Sequence, residues 1–262
     1  MGLKAIFFDI DGTLWDAANR IPDSTKEAVR LLREKGHYSF ICSGRTTAFI
    51  RDENLLSLGF DGVLAGCGTY AEYRGETLVY KRLEQELMEG TIHILREHGV
   101  PTIYEGRYHL YMDMEEFAKD PFAQHVKQVL GEEAYPVAGH EKDMEVSKFS
   151  CSTRGVSYEG VLPLLSENFS LLFHEDNCFE CVPKGYSKAT GIQEVCRRLG
   201  IDHEDTYAFG DSVNDLEMLS FVRHGVAMGN GVQAAKDAAE YVTAPLTEDG
   251  VYRGLKHYGL LD

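Results

Sequence analysis

The chain has 262 residues, with 26 Lys and Arg against 42 Asp and Glu, a formal net charge of −16. That length suits one or two domains with a core that needs no disulfide staples. The acidic balance argues against a nucleic-acid backbone or an anionic membrane as the main partner, and any anionic substrate needs a local feature that overcomes the field of the whole molecule.

The first apolar run, Lys4 to Phe8, ends at Asp9 and Gly12 and reads as a buried strand. It is too short for a signal-peptide core, and no later run approaches the ~20 apolar residues of a membrane span, so a cytoplasmic chain is expected. Ser24-Thr25-Lys26-Glu27 has the capping-box pattern and predicts a helix that stops at Gly36. A strand over 38–42, a helix from Thr46 to about Leu58 and a strand over 63–65 follow. Strand–helix–strand–helix order implies a parallel sheet.

The pattern then changes. Residues 69–73 and 77–81 alternate around Arg74-Gly75 and read as a hairpin. Beyond it the spacing predicts a helix (84–98), strands (101–105, 108–112), a helix (115–130), a strand (145–152), a helix (157–167) and strands (170–175, 178–183). Two helix–strand–strand repeats suggest an α+β unit with an antiparallel sheet. Alternation returns with a helix (188–199), a strand (206–209), a helix (213–220), a strand (224–228), a helix (231–239), a strand (241–243) and a last helix (250–258). The expectation is an α/β parallel-sheet core, 1–82 and 186–262, split by an inserted α+β domain, 83–185.

Four segments fall at the C-terminal ends of predicted parallel strands, where open sheets bind ligands: Asp9 to Leu14, Ser43-Gly44-Arg45, Lys184 to Lys188, and Gly210 to Asp215. Asp9, Asp11, Asp211 and Asp215 would repel one another without a hard cation among them. Carboxylates and a phosphate suit Mg²⁺. Lys188 adds a point charge and Ser43 a hydroxyl donor. The amides of Asp11 and Gly12, and those of Gly44 and Arg45 after Ser43, lie in turns that can form an anion nest. One aspartate could attack phosphorus, and its neighbour two positions on could serve as general acid and then base. Lys184 competes for the lysine role; Lys188 is preferred because it opens a helix after Ser187 and points back toward the strand ends.

This set resembles the haloacid dehalogenase (HAD) superfamily, most closely its Cof-like hydrolases with a large type II (IIB-like) cap. The family's DxDGT matches Asp9 to Thr13, its second-motif Ser or Thr matches Ser43, its third-motif Lys matches Lys188, and GDSxND is Gly210 to Asp215. Ala227 to Asn230 and Glu248 to Val251 also look like that family. The resemblance implies a HAD-like, Rossmann-like core, a phosphoaspartyl intermediate on Asp9, and acid/base work by Asp11. It implies Mg²⁺ held by Asp9, the Asp11 carbonyl and Asp211, and supported by Asp215. Ser43 and Lys188 would hold the phosphoryl group, with Arg45 and Asn214 as further substrate or phosphate contacts. One departure is Cys67-Gly68-Thr69, where such proteins usually carry Asn-Gly-Ala.

Other signals are weaker. Gly66 to Ala71 and Gly229 to Ala234 fit a dinucleotide fingerprint, but the first precedes a hairpin and the second lies in the last βα unit. Cys178 and Cys181, three apart on a strand, face opposite sides and share neither a metal nor a disulfide. Cys42, Cys67, Cys151 and Cys196 are dispersed and read, like them, as reduced thiols. The expected activity is Mg²⁺-dependent hydrolysis of a small phosphorylated metabolite, a sugar or cofactor phosphate. A phosphotransferase or phosphomutase would differ only in the acceptor. A receiver-like signalling domain lacks both the acid at +2 and an insert.

Overall fold

The computed structural model describes residues 2–117, 126, 131, 134–174 and 177–262. In chain order the first strands and helices are β1 (Ala5–Phe8), α1 (Asp23–Glu34), β2 (Tyr38–Cys42), α2 (Glu53–Leu56), β3 (Gly62–Ala65), β4 (Tyr70–Tyr73) and β5 (Glu76–Tyr80). There follow α3 (Gln85–Glu97), β6 (Thr102–Glu105), β7 (Leu110–Tyr111), β8 (Ala134–Tyr135), β9 (Lys148–Ser152), α4 (Leu162–Leu165), β10 (Phe169–His174) and β11 (Cys178–Pro183). The last are α5 (Lys188–Leu199), β12 (Thr206–Gly210), α6 (Leu216–Phe221), β13 (His224–Ala227), α7 (Gln233–Ala238), β14 (Tyr241–Val242) and α8 (Gly250–His257).

Two compact units emerge. One comprises Met1–Arg45, Ile50–Tyr80 and Tyr186–Asp262; the other comprises Thr46–Phe49 and Lys81–Gly185. The first is built on an eight-stranded sheet in the order β14-β13-β12-β1-β2-β3-β4-β5. The strands from β14 to β3 run parallel, and the β4–β5 hairpin adds two antiparallel strands at the edge. All four residues of β1 are buried. Ile6 and Phe8 pack on the face covered by α1 and α8, while Ala5 and Phe7 pack on the face covered by α5, α6 and α7. Burial on both sides explains a strand with no polar alternation.

The second unit has a six-stranded sheet in the order β10-β11-β9-β6-β7-β8, antiparallel except for the parallel β7–β8 pair. One face, with Tyr104, Phe149, Cys151, Phe179 and Cys181, forms an apolar core with Met88, Ile92 and Leu95 of α3. Lys148 is buried beside Glu105 and Glu180, so its charge is paired.

Several local expectations need correction. The capping box at Ser24 does not form: α1 starts at Asp23 after Pro22, and the Ser24 hydroxyl has no hydrogen-bond partner among the described residues. Pro22 sets the entry with its fixed φ, and Glu27 pairs with Arg30 instead. The helix expected over Thr46–Leu58 shrinks to Glu53–Leu56, because the Asp52 carboxylate caps Asn54 and Leu55 and fixes the start. The helix expected over 157–167 is the single turn α4, with proline at its start, a position that opens helices and cannot lie inside one. The short β8 carried no sequence signal of its own. The helix expected over 115–130 lies largely outside the described residues. Among the described residues, no helix is long and apolar enough to cross a membrane.

Candidate active site

Parallel pairing of β1 with β2 and with β12 brings three strand ends side by side. Asp9 follows β1, Ser43 follows β2 and Asp211 follows β12. The Asp9 amide donates to the Phe209 carbonyl at 2.9 Å, which ties the first of these ends to the third. Gly12 has φ +79° and lies so close to Asp211 that a Cβ there would stand 2.3 Å from Oδ2. The DxDGT turn therefore needs glycine for its conformation and for space.

Contrary to expectation, the Lys184–Lys188 segment does not follow a parallel strand: it comes after β11, which pairs antiparallel on both sides, and Lys188 enters from the first turn of α5. Ser187 caps that helix in a capping box with Thr190. The Lys188 ammonium is fully buried and donates to Asp9 Oδ1 and to Asp215 Oδ1, each at 2.6 Å. Asp215 uses its other oxygen, Oδ2, to accept from the amides of Asp211 and Ser212, both at 2.9 Å, and from the Ser212 hydroxyl. It thus holds the Gly210–Asp215 turn together and orients Lys188. The Gly66-Cys67-Gly68 turn, left-handed throughout, braces the other side of the helix start. A Cβ on Gly68 would stand 2.1 Å from the Ser187 carbonyl oxygen.

Asp9, Asp211 and Asp215 each offer a carboxylate oxygen, all within 4.8 Å of one another. Burial pushes the Asp9 carboxyl well above the usual carboxylate range; Lys188 opposes this, while Asp215, Asp211 and Asp11 add to it. Asp211 is pushed up to about 7, first by burial and next by Asp215, against the pull of Lys188 and the Thr13 hydroxyl. Burial alone would lower the Lys188 ammonium, yet Asp215 and Asp9 raise it well above its ordinary value, so it stays charged. One ammonium among three carboxylates leaves an excess of negative charge. Hard oxygen donors in that state fit a small divalent cation such as Mg²⁺.

The remaining expected site residues lie around this centre. Ser43 is buried, and its hydroxyl accepts from the Arg45 amide at 3.1 Å. The Ser43-Gly44-Arg45 turn is stitched to the next strand end by Cys67 N to Ser43 O and Gly66 N to Arg45 O. Asn214 bonds the Ser212 hydroxyl through Oδ1, which makes it part of the turn's own scaffold. The Asp11 carboxylate stands apart from the three-carboxylate group. It is paired with Arg45, whose Nε and Nη2 reach Oδ2 and Oδ1 at 2.7 and 2.8 Å. The Asp11 side chain is thus engaged, and the metal role that the resemblance implies for Asp11 falls to its backbone carbonyl.

Two further side chains touch the turns of this site, and neither lies in the four motifs singled out from the sequence. Trp15 donates from its indole nitrogen to Asp11 Oδ1 at 2.9 Å. Asn230 donates to the Gly12 carbonyl at 2.9 Å and accepts from the Leu246 amide, which locks the DxDGT turn to the far side of β13. The Ala227 to Asn230 stretch pointed to the second; nothing in spacing pointed to the first. The Cys178/Cys181 reading holds, since Cys181 is buried in the apolar core and Cys178 is half-buried at the strand start.

Residues 6–255 match the family model described as haloacid dehalogenase-like hydrolase. The chain is 34% identical, over the whole length of both proteins, to a Bacillus subtilis (strain 168) protein named "Putative phosphatase YkrA". It is similar to a Geobacillus kaustophilus HTA426 protein of solved structure, with a TM-score of 0.85, 32% identity, and coverage of 99% of this chain and 100% of that one. A second solved structure, described as the HAD subclass IIB sugar phosphatase BT4131, gives a TM-score of 0.83 at 31% identity, with coverage of 98% and 99%.

Proposed function

The chain belongs to the haloacid dehalogenase-like hydrolases and is a phosphatase, and we propose that it is Mg²⁺-dependent and hydrolyses a small phosphorylated metabolite through a phosphorylated Asp9. The observation that carries this reading is the buried Asp9–Lys188–Asp215 chain with Asp211 beside it and Asp11 two residues away. Nucleophile, cation ligands and acid/base are all present as the residue types the chemistry needs.

Asp9 and Asp211, with the Asp11 carbonyl, would hold Mg²⁺, and Asp215 would back them. When bound, the cation neutralises charge on the phosphoryl oxygens. Lys188 grips Asp9 Oδ1 and fixes the carboxylate plane. Among the described residues no donor reaches Oδ2, which is left for phosphorus. An Asp9 oxygen forms the O–P bond as the bond to the leaving oxygen breaks, and Asp11 donates the proton that oxygen needs. Asp11 then takes a proton from water as the water oxygen attacks phosphorus, which frees phosphate and restores Asp9. Ser43, Lys188 and the amides at Gly12, Gly44 and Arg45 hold the phosphoryl oxygens.

Residues 83–185 interrupt the motif-bearing core between Ser43 and Lys188 and supply none of the motif residues. We assign substrate selection to them. The names of similar proteins support a small phosphate ester: the sugar phosphatase above, and a Bacillus subtilis 5-amino-6-(5-phospho-D-ribitylamino)uracil phosphatase that is 28% identical over 97% of this chain. The six cysteines are thiols rather than disulfides, and five of them are buried, which supports a reducing cytoplasmic setting.

Phosphate release from a panel of sugar and cofactor phosphates, with and without Mg²⁺ and with Asp9→Asn as control, tests the reading. Metal-dependent release lost in Asp9→Asn supports it. Release by Asp9→Asn at the native rate would overturn the nucleophile. Turnover that requires a sugar acceptor and leaves no free phosphate would replace hydrolysis with phosphoryl transfer.

A further inference from the structure

Asp11 is the only one of the four motif carboxylates without a contact to Lys188 or to the Gly210–Asp215 turn. Three donors occupy it instead: Arg45 Nε on Oδ2, and both Arg45 Nη2 and the Trp15 indole N–H on Oδ1. The Arg45 guanidinium also stands 5.4 Å from the Trp15 ring centroid, in cation–π range. The three side chains close a triangle in which each touches the other two.

Two of its corners are unequal. Trp15 is 2% exposed and its backbone is locked, with Gly12 N donating to Trp15 O at 3.0 Å and the amides of Leu14 and Trp15 both donating to Ile10 O. Arg45 is long and about one-third exposed, and Asp11 about half. A bidentate pair in that much solvent is specific in geometry but weak in energy, so a competing anion can take the guanidinium. The Trp15 N–H belongs to an almost fully buried side chain, which an incoming anion reaches less easily than the exposed guanidinium. For Asp11 to address a leaving oxygen or a water, at least one of its donors has to let go.

We propose that Trp15 is a positioning residue for Asp11, and that Arg45 is the exchangeable arm of a latch which the substrate's anionic group opens. This inference rests on the phosphatase reading. In the free protein Arg45 and Trp15 together hold Asp11. When a phosphoryl oxygen draws Arg45 away, Asp11 keeps the indole bond as its pivot, and its freed Oδ2 turns to the substrate. Anion binding and the release of Asp11 become one event. The local answer to the protein's acidity is then an arginine that a carboxylate stores until a better anion arrives.

Trp15 is the sole tryptophan of the chain, so tryptophan emission, excited beyond the tyrosine absorption band, reports on this triangle. Wild type and Arg45→Ala are titrated with inorganic phosphate in the presence of Mg²⁺, with binding followed in parallel by equilibrium dialysis. Wild type is expected to show a saturable change in tryptophan emission that tracks bound phosphate. Arg45→Ala is expected to start from the emission of the saturated wild type and to stay there. Phosphate binding without an emission change in wild type, or an unaltered response in Arg45→Ala, would overturn the latch. Absence of phosphate binding to wild type would overturn the phosphatase reading itself and the latch with it.

Trp15→Phe keeps an aromatic ring and removes the donor. With p-nitrophenyl phosphate it is expected to lose about ten- to a hundredfold in kcat, the scale of a misplaced catalytic group, with KM within about twofold. An unchanged kcat, or equal changes in kcat and KM, would overturn the positioning role. The fluorescence arm does not depend on that variant folding.

Discussion

Asp215 and Lys188 meet at 2.6 Å with neither side chain exposed at all. The pair carries the ammonium to Asp9, 179 residues away in sequence, and sets the plane of that carboxylate. A buried charge with a missing partner is costly, more so than the intact pair is favourable. Asp215→Ala should therefore lower the unfolding free energy by about 3 kcal/mol or more. Urea denaturation monitored by circular dichroism checks this, and a loss under ~1 kcal/mol would mean that Asp9 alone suffices to pair Lys188.

Asp9→Asn keeps the size of the side chain and removes the attacking oxygen's charge. Turnover should fall at least about a thousandfold, the order seen when a nucleophile is removed. Acid-quenched protein from the wild type should carry phosphate on an aspartyl residue during turnover, and the variant should carry none.

Asp11→Asn should spare cation binding, because its carboxylate lies outside the Asp9–Asp211–Asp215 group. The rate should fall about a hundred- to ten-thousandfold, the usual scale of lost acid/base catalysis. Mg²⁺ binding by calorimetry and phosphate release, measured on the same sample, separate the two effects.

Burial and the neighbouring Asp215 push the Asp211 carboxyl up to about 7, against an ordinary 3.8. A carboxyl with a raised folded pKa binds its proton more tightly when folded. Its contribution to stability is full below about pH 4, falls as pH rises toward 7, and is gone above that. Chelated protein should thus lose more stability between pH 5 and pH 8 than Asp211→Asn does. Mg²⁺, which needs the ionised carboxylate, should raise the melting temperature more at pH 8 than at pH 5. Equal shifts at both pH values would argue against Asp211 as a ligand.

Gly12→Ala meets two penalties: a left-handed φ, and a methyl 2.3 Å from Asp211 Oδ2. The first costs about 1 kcal/mol, and the second is relieved only if Asp211 moves. The variant should fold, with the Mg²⁺ concentration for half-maximal activity raised at least tenfold. An unchanged metal requirement would show that Asp211 yields without consequence.

Much of the site was legible because its parts are local. Asp9 and Asp11 sit on one turn, as do Gly210 and Asp215, and each turn follows a strand that an unbroken apolar run announces. Ser187 and Thr190 cap α5 within one helical turn, which is why the position of Lys188 could be read from four letters. Where a local pattern met a competing local partner, it misled. Ser24 lost its cap to Pro22, and Asp52 moved a helix start from Thr46 to Glu53.

The sequence alone determined the strand–helix alternation of the motif-bearing core, the four motifs and the kind of chemistry they support, since those depend on spacing within a strand, a turn or the start of a helix. Tertiary structure alone decided who touches whom across long separations. Only the placement of β1 between β2 and β12 sets Arg45 on Asp11, and only the closure of the loop after β1 brings Trp15 beneath both. The same holds for Thr46–Phe49, where Ala48 packs with Ile103 and Leu110, far along the chain from the motif it follows. A hydrogen bond between residues 34 apart has no period to betray it. It exists because sheet order brings the two ends together, and sheet order is settled by the burial of the whole core.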